Sequence, residues 1–206
     1  MKVAIYDNEM CNIKSVENAV LHLGFTPIIT KDCDFTTEPT HLIIPGVGSF
    51  DTAMAKMKSN GAYENILNYI KKNNKVLGIC LGMQLLFDLG NEKRECEGLG
   101  VIKGEVVLLP KPIKDLRENS PNMGWSEVNV KKQNQILNGL KDDDMVYLVH
   151  SYFCKPANNQ IITLSTKFGN EDICIGVSEN NIHGFQFHPE KSGNIGLNLI
   201  ENFLKL

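Results

Sequence analysis

The sequence predicts an α/β fold with a mostly parallel central sheet flanked by helices and an antiparallel, strand-rich C-terminal half. Three observations predict it. Short apolar runs alternate with segments of helical periodicity through residue 90. Beyond that point, apolar runs broken by Pro, Gly and Asn replace the helical pattern. Between the halves, residues 75–87 (K-V-L-G-I-C-L-G-M-Q-L-L-F) place a cysteine where a strand-like run gives way to a helical one.

The first half contains the parts of a parallel sheet in chain order. The predicted strands are 3–6, 27–29, 41–44 and 76–79. Apolar residues at helical spacing predict a helix over 13–23 that ends at Gly24, and one or two helices between Ala53 and Ile70. The residues after the cysteine are expected to continue as a helix. Parallel strands covered by helices on both faces follow from this alternation.

The second half is expected to add strands to the same sheet through hairpins. Residues 91–97 (N-E-K-R-E-C-E) predict a charged surface loop. The predicted strands after it are 101–102, 106–109, 128–130, 146–149, 161–164, 173–177 and 182–187. An amphipathic helix beginning near Ile195 closes the chain. No linker or repeat interrupts the pattern, so we expect one domain over 1–206.

Composition excludes several classes of protein. The 206 residues carry 21 basic and 24 acidic side chains, a net charge of −3, without a basic block that would bind nucleic acid or a membrane surface. The N-terminal apolar run is too short for a signal peptide, and nowhere do about 18 apolar residues follow one another. Six cysteines without a C-x-x-C pair argue against a zinc site and a disulfide framework. We therefore expect a cytoplasmic protein without a metal or other cofactor.

The stretch G-I-C-L-G (78–82) has the layout of a nucleophile elbow. In such a turn the nucleophile joins a strand to a helix, and flanking glycines remove Cβ atoms that would collide with the tight backbone. Cys80 would then stand exposed at the start of a helix. A buried structural cysteine between two glycines is the alternative that this pentapeptide alone leaves open.

A cysteine nucleophile needs a base and a group that orients the base. His188 and Glu190, in the segment H-P-E, follow an apolar strand-like run. In extended backbone these two positions project to the same side, so the carboxylate could hold one imidazole nitrogen while the other faces Cys80. The alternative is a surface turn at the end of the strand. The other four histidines are less suited to act as the base.

Read together, these segments resemble the class I glutamine amidotransferases over nearly the whole chain. Three segments carry the family resemblance: G-I-C-L-G-M-Q-L-L-F (78–87), P-G-V-G-S-F (45–50) and Q-F-H-P-E-K-S-G (186–193). Three more resemble the glutaminase subunits that serve histidine biosynthesis: M-G-W (123–125), V-H-S-Y (149–152) and G-L-N-L-I-E-N-F (196–203). Any one of these segments is weak alone, whereas six in the right order are specific.

The resemblance assigns a role to each matching residue. Cys80 would attack the side-chain amide of glutamine, His188 would move the proton, and Glu190 would orient the histidine. The backbone N–H of Leu81 and one from the Val47-Gly48 loop would hold the oxyanion. The substrate would be bound by Gly48, Gln84, Ser151 and Tyr152. For Gln84 the alternative is a residue on a helix surface, and for the Gly-x-Gly at 46–48 it is a plain turn.

The resemblance also implies a partner. Free ammonia is mostly protonated at neutral pH and diffuses away, so a glutaminase gains function by passing it to a second active site. In the family this site belongs to a (β/α)₈-barrel cyclase that makes imidazole glycerol phosphate and aminoimidazole carboxamide ribotide, here as the other half of a heterodimer. The residues implied at the docking face are Asn12, Met123, Gly124, Trp125 and Lys191. Core packing is the alternative for Trp125, the one tryptophan.

Two departures from the family pattern leave the ammonia acceptor open. Glu9 and Cys11 stand where the family has small residues in D-Y-G-M-G-N, and Asn122 replaces the histidine of P-H-M-G-W. Both lie on the presumed docking side. A related synthase that adds nitrogen to a surface sugar is therefore an alternative acceptor. A catalytically silent scaffold subunit and a stand-alone hydrolase are further alternatives, which the filled triad positions and the Gln84 pocket disfavour.

Overall fold

A parallel sheet forms the first half of the chain, as predicted. The computed structural model describes residues 2–10, 12–35, 39–110 and 121–206. Its first elements are β1 (Val3–Tyr6), α1 (Ile13–His22), β2 (Pro27–Thr30), β3 (His41–Gly46), α2 (Phe50–Ser59), α3 (Ala62–Lys71) and β4 (Lys75–Cys80). The four strands pair in the parallel order β2-β1-β3-β4. Gly24, with φ of 85°, follows the end of α1, where a left-handed residue commonly stops a helix.

The sheet continues beyond β4 with strands from the end of the chain. These are β14 (Ile182–Phe185), β13 (Glu171–Glu179), β12 (Ile162–Phe168) and β9 (Asn129–Val130). Within the described residues the complete order is β2-β1-β3-β4-β14-β13-β12-β9. Only β14 among the added strands is parallel to its neighbour β4, with Phe185 opposite Ile79. The chain that leaves β14 therefore emerges at the same edge of the sheet as Cys80.

Two smaller sheets stand apart from the large one, which corrects one expectation. The sheet β11-β7-β5-β6 contains β5 (Phe87–Asn91), β6 (Glu95–Glu97), β7 (Ile102–Leu108) and β11 (Tyr152–Pro156). A two-stranded ribbon pairs β8 (Asn122–Glu127) with β10 (Met145–His150). The prediction that all hairpins extend the same sheet is wrong for these strands, because the alternation of side chains does not specify which strand is the neighbour.

The segment after Cys80 also differs from the prediction. Helix α4 (Leu81–Leu85) has five residues and β5 follows it, so the expected longer helix and the charged loop at 91–97 are instead a short helix and the β5–β6 hairpin. Periodicity cannot separate a short buried helix from a buried strand. Gly90 lets the hairpin approach α2 closely, since a Cβ there would lie 2.4 Å from the Phe50 ring.

Both faces of the large sheet are buried, which explains the continuous apolar runs of its strands. Along β1, Val3 and Ile5 belong to one core cluster, which also contains α1 and the C-terminal helix α5 (Gly193–Leu204). Ala4 and Tyr6 belong to the other cluster, with α2, α3 and α4. Helices cover each face, as expected for parallel strands. No helix in the described part of the chain has the length and apolar character needed to cross a membrane.

Helix α5 provides a test of how the core is held together. Phe203 is fully buried, and its ring lies edge-on to His41, 5.2 Å between centroids, at the start of β3. We expect Phe203→Ala to lower the free energy of unfolding by about 3–5 kcal/mol, because it empties a packed site. Urea unfolding followed by circular dichroism measures the change.

The matched control is Lys205→Ala on the same helix, where an exposed ion pair with Glu201 is lost. Its expected effect is below about 0.5 kcal/mol. Equal losses for the two variants would contradict the packing of α5 described here.

Candidate active site

Cys80 sits on the strained strand-to-helix turn that its flanking glycines predict. It ends β4 with φ of 54° and ψ of −114°, a backbone conformation that side-chain-bearing residues rarely adopt. A Cβ at Gly82 would lie 1.6 Å from the Ile44 carbonyl oxygen, and one at Gly78 would lie 2.7 Å from the Gly82 oxygen. Only glycine fits at either position, so the elbow geometry rests on both. The cysteine is 6% exposed, so the expectation that it stands exposed is wrong.

His188 and Glu190 form a buried pair beside the elbow. Nδ1 of His188 lies 2.8 Å from Oε1 of Glu190, and each side chain is almost entirely buried. A carboxylate oxygen accepts, so Nδ1 carries the proton and Nε2 faces the other way. The predicted pairing is present, but the extended backbone invoked for it is wrong. Pro189–Lys191 form a 3₁₀ turn with His188 at its start. This turn brings the Glu190 carboxylate within hydrogen-bond distance of Nδ1 of His188.

Two neighbouring groups set the pKa of His188. Burial by itself lowers this pKa, but negative charge on the Cys80 sulfur and on the Glu190 carboxylate favours the charged ring, and together these neighbours raise the pKa to about 9. Nε2 is buried without a partner at full hydrogen-bond geometry. His188 and Cys80 are therefore neighbours that no hydrogen bond at full geometry joins, as is common between catalytic groups in the absence of substrate. Burial lowers the pKa of His41, His150 and His183 to about 4.

A cavity of about 310 Å³ opens in front of Cys80. Its walls contain every residue predicted to bind substrate or oxyanion, together with four that were not predicted. The lining residues are Val47, Gly48, Cys80, Leu81, Gln84, Glu92, Pro121, Val149, His150, Ser151 and Tyr152. The volume is at the small end of the range for ligand sites, which fits a metabolite of amino-acid size.

Two groups on this wall are placed to hold an oxyanion. Leu81 is the first residue of α4, so its N–H has no acceptor within the helix. The Val47-Gly48 loop follows β3, and Gly48 has φ of 98°. A Cβ at Gly48 would lie 2.9 Å from the Met10 methyl group, so the Met10 side chain packs close to this loop.

Gln84 lies on the cavity wall with part of its amide already engaged. Its Nε2 donates to the Tyr152 carbonyl at 3.1 Å and to Oε1 of Gln186 at 3.0 Å. The alternative of an exposed helix residue is wrong, because Gln84 is buried. Its amide oxygen is the atom that remains for a substrate. The Tyr152 carbonyl is also occupied by protein donors, since it accepts from Nδ1 of His150 at 2.9 Å as well as from Gln84.

Glu92 and Gln186 are site residues that the sequence interpretation missed. Oε2 of Glu92 accepts from the Phe50 N–H at 2.7 Å, which fixes the carboxylate at the start of α2 and on the cavity wall. It lies within a charged stretch, where no pattern distinguishes it. Nε2 of Gln186 donates to the Cys80 sulfur at 3.7 Å. Position 186 is two residues before His188, which indicates that Gln186 lies near the base, but the spacing does not predict its contact with the Cys80 sulfur.

The residues implied at a docking face lie in two groups close to the site. Met123 and Trp125 on β8 are 62% and 54% exposed, so core packing of the tryptophan is wrong. Asn12 and Lys191 line a small cavity that also contains His188 and Glu190.

The strand β10 connects the ribbon to the histidine turn. The Trp125 ring lies edge-on to Tyr147 at 6.1 Å. The Tyr147 carbonyl accepts from the His188 N–H at 3.0 Å, and its N–H donates to Oγ of Ser192. That hydroxyl in turn donates to the His188 carbonyl at 2.7 Å. The base is thus held by the backbone of the strand whose side chain packs on Trp125.

The departures from the family pattern are accommodated locally. Glu9 adopts φ of 58°, where small residues are usual, and its carboxylate forms ion pairs with Lys31 and Lys56. These pairs hold the pKa of Glu9 down at about 2. Nδ2 of Asn122 contacts Nε2 of His150 at 3.3 Å. Cys11 lies outside the described residues.

Comparison with known proteins agrees with this geometry. The family model for class I glutamine amidotransferases matches residues 4–206. Imidazole glycerol phosphate synthase subunit HisH of Aquifex aeolicus (strain VF5) is 40% identical over 204 residues, which cover 98% of this chain and 96% of that protein. The subunit of the same name from Lactococcus lactis subsp. lactis (strain IL1403) is 41% identical, with 99% and 98% covered.

Solved structures show the same fold at lower identity. A crystal structure described as a glutamine amidotransferase aligns with a TM-score of 0.76 at 15% identity, covering 100% of this chain and 98% of that one. PurLQS from Thermotoga maritima aligns with a TM-score of 0.75 at 16% identity, covering 99% and 97%. The chain belongs to the class I glutamine amidotransferases and, within them, to the family of the HisH subunits of imidazole glycerol phosphate synthase.

Proposed function

We propose that this chain is the glutaminase subunit of an imidazole glycerol phosphate synthase, a single domain that hydrolyses L-glutamine to glutamate and ammonia. The observation that carries the proposal is the strained Cys80 beside the buried His188–Glu190 pair, facing a cavity of about 310 Å³. The relatives that bear this subunit name support the histidine-pathway acceptor over a sugar-modifying synthase.

The proposed reaction uses two proton transfers through His188. The Cys80 thiolate attacks the amide carbon of glutamine, and the C–N bond breaks as the departing nitrogen takes the proton held on Nε2 of the charged His188. With a pKa of about 9, His188 is protonated at neutral pH and can supply that proton. The neutral ring then takes a proton from water, which attacks the γ-glutamyl thioester. The C–S bond breaks, and glutamate leaves.

The cavity wall supplies binding groups for the rest of glutamine. The Leu81 N–H and an N–H of the Val47-Gly48 loop hold the oxyanion of each tetrahedral intermediate. The Glu92 carboxylate and the Gln84 amide oxygen are acceptors suited to the substrate ammonium group. Gly48 and the backbone at Ser151 and Tyr152 line the part of the cavity that would hold the carboxylate of the substrate. Glu190 keeps the proton on Nδ1 of His188, which leaves Nε2 for the chemistry.

We further propose a heterodimer with a (β/α)₈-barrel cyclase, which receives ammonia without its release to water and acts with this subunit in the cytoplasm. The relatives are named as subunits, which supports a partner. The ribbon β8–β10 presents Met123, Trp125 and Met145 outward, and exposed aromatic and methionine side chains suit a docking surface. Gly124 adopts φ of 137° between the first two. Asn12 and Lys191 extend this face to the triad.

The nucleophile assignment predicts the outcome of Cys80→Ala. Glutamate release by the complex with its cyclase is expected to fall by more than about 10⁴-fold, because no other group can form the thioester. Cyclase turnover with added ammonium salt should persist, since the acceptor site is on the other subunit. An assay of glutamate with glutamate dehydrogenase measures the loss.

The control for this variant is Cys96→Ser, which changes a half-buried thiol in β6. It should leave glutamate release within about twofold of the wild type. Retention of hydrolysis in Cys80→Ala would contradict the proposed function.

The raised pKa of His188 predicts a pH-dependent contribution to stability. A folded-state pKa of about 9 exceeds the ordinary value of about 6.5, so this contribution is fully present below pH 6.5 and is lost as pH rises through 9. The difference in unfolding free energy between wild type and His188→Asn should therefore shrink by about 3 kcal/mol from pH 6 to pH 9.5. Urea unfolding at four pH values measures it. A difference that stays constant or grows over this range would show that the ring is not charged in the folded protein.

The proposed docking face predicts that Trp125→Ala weakens the complex with the cyclase by at least about tenfold in Kd, with little change in stability, because the ring is largely exposed. Titration calorimetry with the purified cyclase measures the affinity. Ile28→Ala, which removes an exposed apolar side chain from β2 at the far edge of the sheet, is the matched control. Equal affinities of the two variants would place the partner elsewhere.

A further inference from the structure

A continuous path of hydrogen bonds runs from the docking ribbon to the nucleophile and avoids the His188–Glu190 pair. Beginning at the sulfur, Gln186 Nε2 contacts Cys80 Sγ at 3.7 Å, and Gln186 Oε1 contacts Gln84 Nε2 at 3.0 Å. Gln84 Nε2 also contacts the Tyr152 carbonyl at 3.1 Å.

Two further contacts extend the path to β8. Nδ1 of His150 lies 2.9 Å from the same Tyr152 carbonyl oxygen. Its Nε2 lies 3.3 Å from Nδ2 of Asn122. Asn122 is the first residue of β8 and precedes the exposed Met123, so the path ends at the proposed docking face.

Only one assignment of donors and acceptors satisfies every contact. The Tyr152 carbonyl can only accept, so Nδ1 of His150 carries the hydrogen and the Gln84 amide nitrogen points to that oxygen. Nε2 of His150 must then accept, so the Asn122 amide donates to it. The second hydrogen of Gln84 Nε2 points to Gln186, which must accept through Oε1.

The Tyr152 carbonyl therefore sets the direction of the Gln84 and Gln186 amides, which turns the Gln186 amide nitrogen toward the Cys80 sulfur. His150, held by Asn122, anchors that carbonyl in place. Burial reinforces this assignment, because it lowers the pKa of His150 to about 4 and keeps its ring neutral with one free acceptor. Gln186 is fully buried, so water cannot substitute for a lost partner.

We propose that Gln186 donates a hydrogen bond to the Cys80 sulfur that strengthens when the sulfur carries negative charge, and that His150 and Asn122 are positioning residues that keep this donor turned toward it. The inference rests on the proposed function, in which Cys80 is the nucleophile. A buried N–H aimed at sulfur stabilises the thiolate relative to the thiol, since hydrogen bonds to charged groups are about twice as strong as neutral ones.

The decisive measurement separates kcat from KM for glutamine hydrolysis by the complex with its cyclase. Gln186→Met keeps the size of the side chain and removes the donor. We expect kcat to fall about 10- to 100-fold and KM to change by less than about threefold. The change in KM is expected to stay small because Gln186 is not among the described residues that line the cavity, and Gln84 keeps its hydrogen bond to the Tyr152 carbonyl. The rate of Cys80 alkylation by iodoacetamide, followed by peptide mass spectrometry, should fall in parallel.

Asn122 tests the far end of the path. Asn122→Ala should lower kcat by about three- to tenfold, and Asn122→His should restore it, because a histidine N–H can donate to His150. In the double variant with Gln186→Met, the Asn122→Ala change should add less than twofold, since the terminal donor is already absent. Independent, multiplicative effects would overturn the path.

The controls separate this inference from folding and from the proposed function. Asn202→Ala removes an amide on α5 that donates to the Ile136 and Asn138 carbonyls. This variant should lower thermal stability without changing kcat. Should Gln186→Met fail to fold, Gln186→Leu replaces it. That side chain also lacks a donor and cannot gain one by protonation, so it should show the same loss.

Wild-type kcat and alkylation in the Gln186 variant, with Cys80→Ala inactive, would overturn the inference and leave the proposed function standing. Hydrolysis that survives in Cys80→Ala would overturn both.

Discussion

The left-handed backbone of Cys80 is the constraint on which the site depends. A non-glycine residue in this conformation costs about 1–3 kcal/mol and persists only where the surrounding structure enforces it. Here β3 and α4 enforce it, because Gly82 packs directly against the Ile44 carbonyl. The turn places Cys80 and Leu81 side by side on the wall of the cavity, so it positions both the proposed nucleophile and the proposed oxyanion donor.

The rest of the site reaches Cys80 through the order of the strands. β14 is parallel to β4 and in register with it, so the chain that follows Phe185 leaves the sheet next to the elbow. The Gln186 amide then contacts the Cys80 sulfur. The His188 turn brings the ring close enough to this sulfur for negative charge on it to raise the pKa of His188. The nucleophile thus has two polar neighbours from one short segment, an amide donor and a base held by Glu190.

The ribbon β8–β10 connects the site to the molecular surface. It stands apart from the large sheet and exposes Met123 and Trp125. Its backbone at Tyr147 binds the His188 turn. Its Asn122 contacts His150, which donates to the Tyr152 carbonyl. One hydrogen-bonded route therefore runs from the ribbon to Cys80 through Gln84 and Gln186, and a second ends at the backbone of His188.

The sequence by itself determined the parallel half of the fold, the elbow and the three positions, Cys80, His188 and Glu190, that we propose as the catalytic triad. These are local properties, since periodicity, the Gly78 and Gly82 spacing and the His188–Glu190 pair all lie within short segments. Tertiary structure alone decided which strands share a sheet, how deeply Cys80 is buried, that a 3₁₀ turn joins His188 to Glu190, and that Gln186 and Glu92 belong to the site. Those features depend on contacts between residues far apart in the chain, such as Cys80 with Gln186 and Phe50 with Glu92, and no local pattern encodes such contacts.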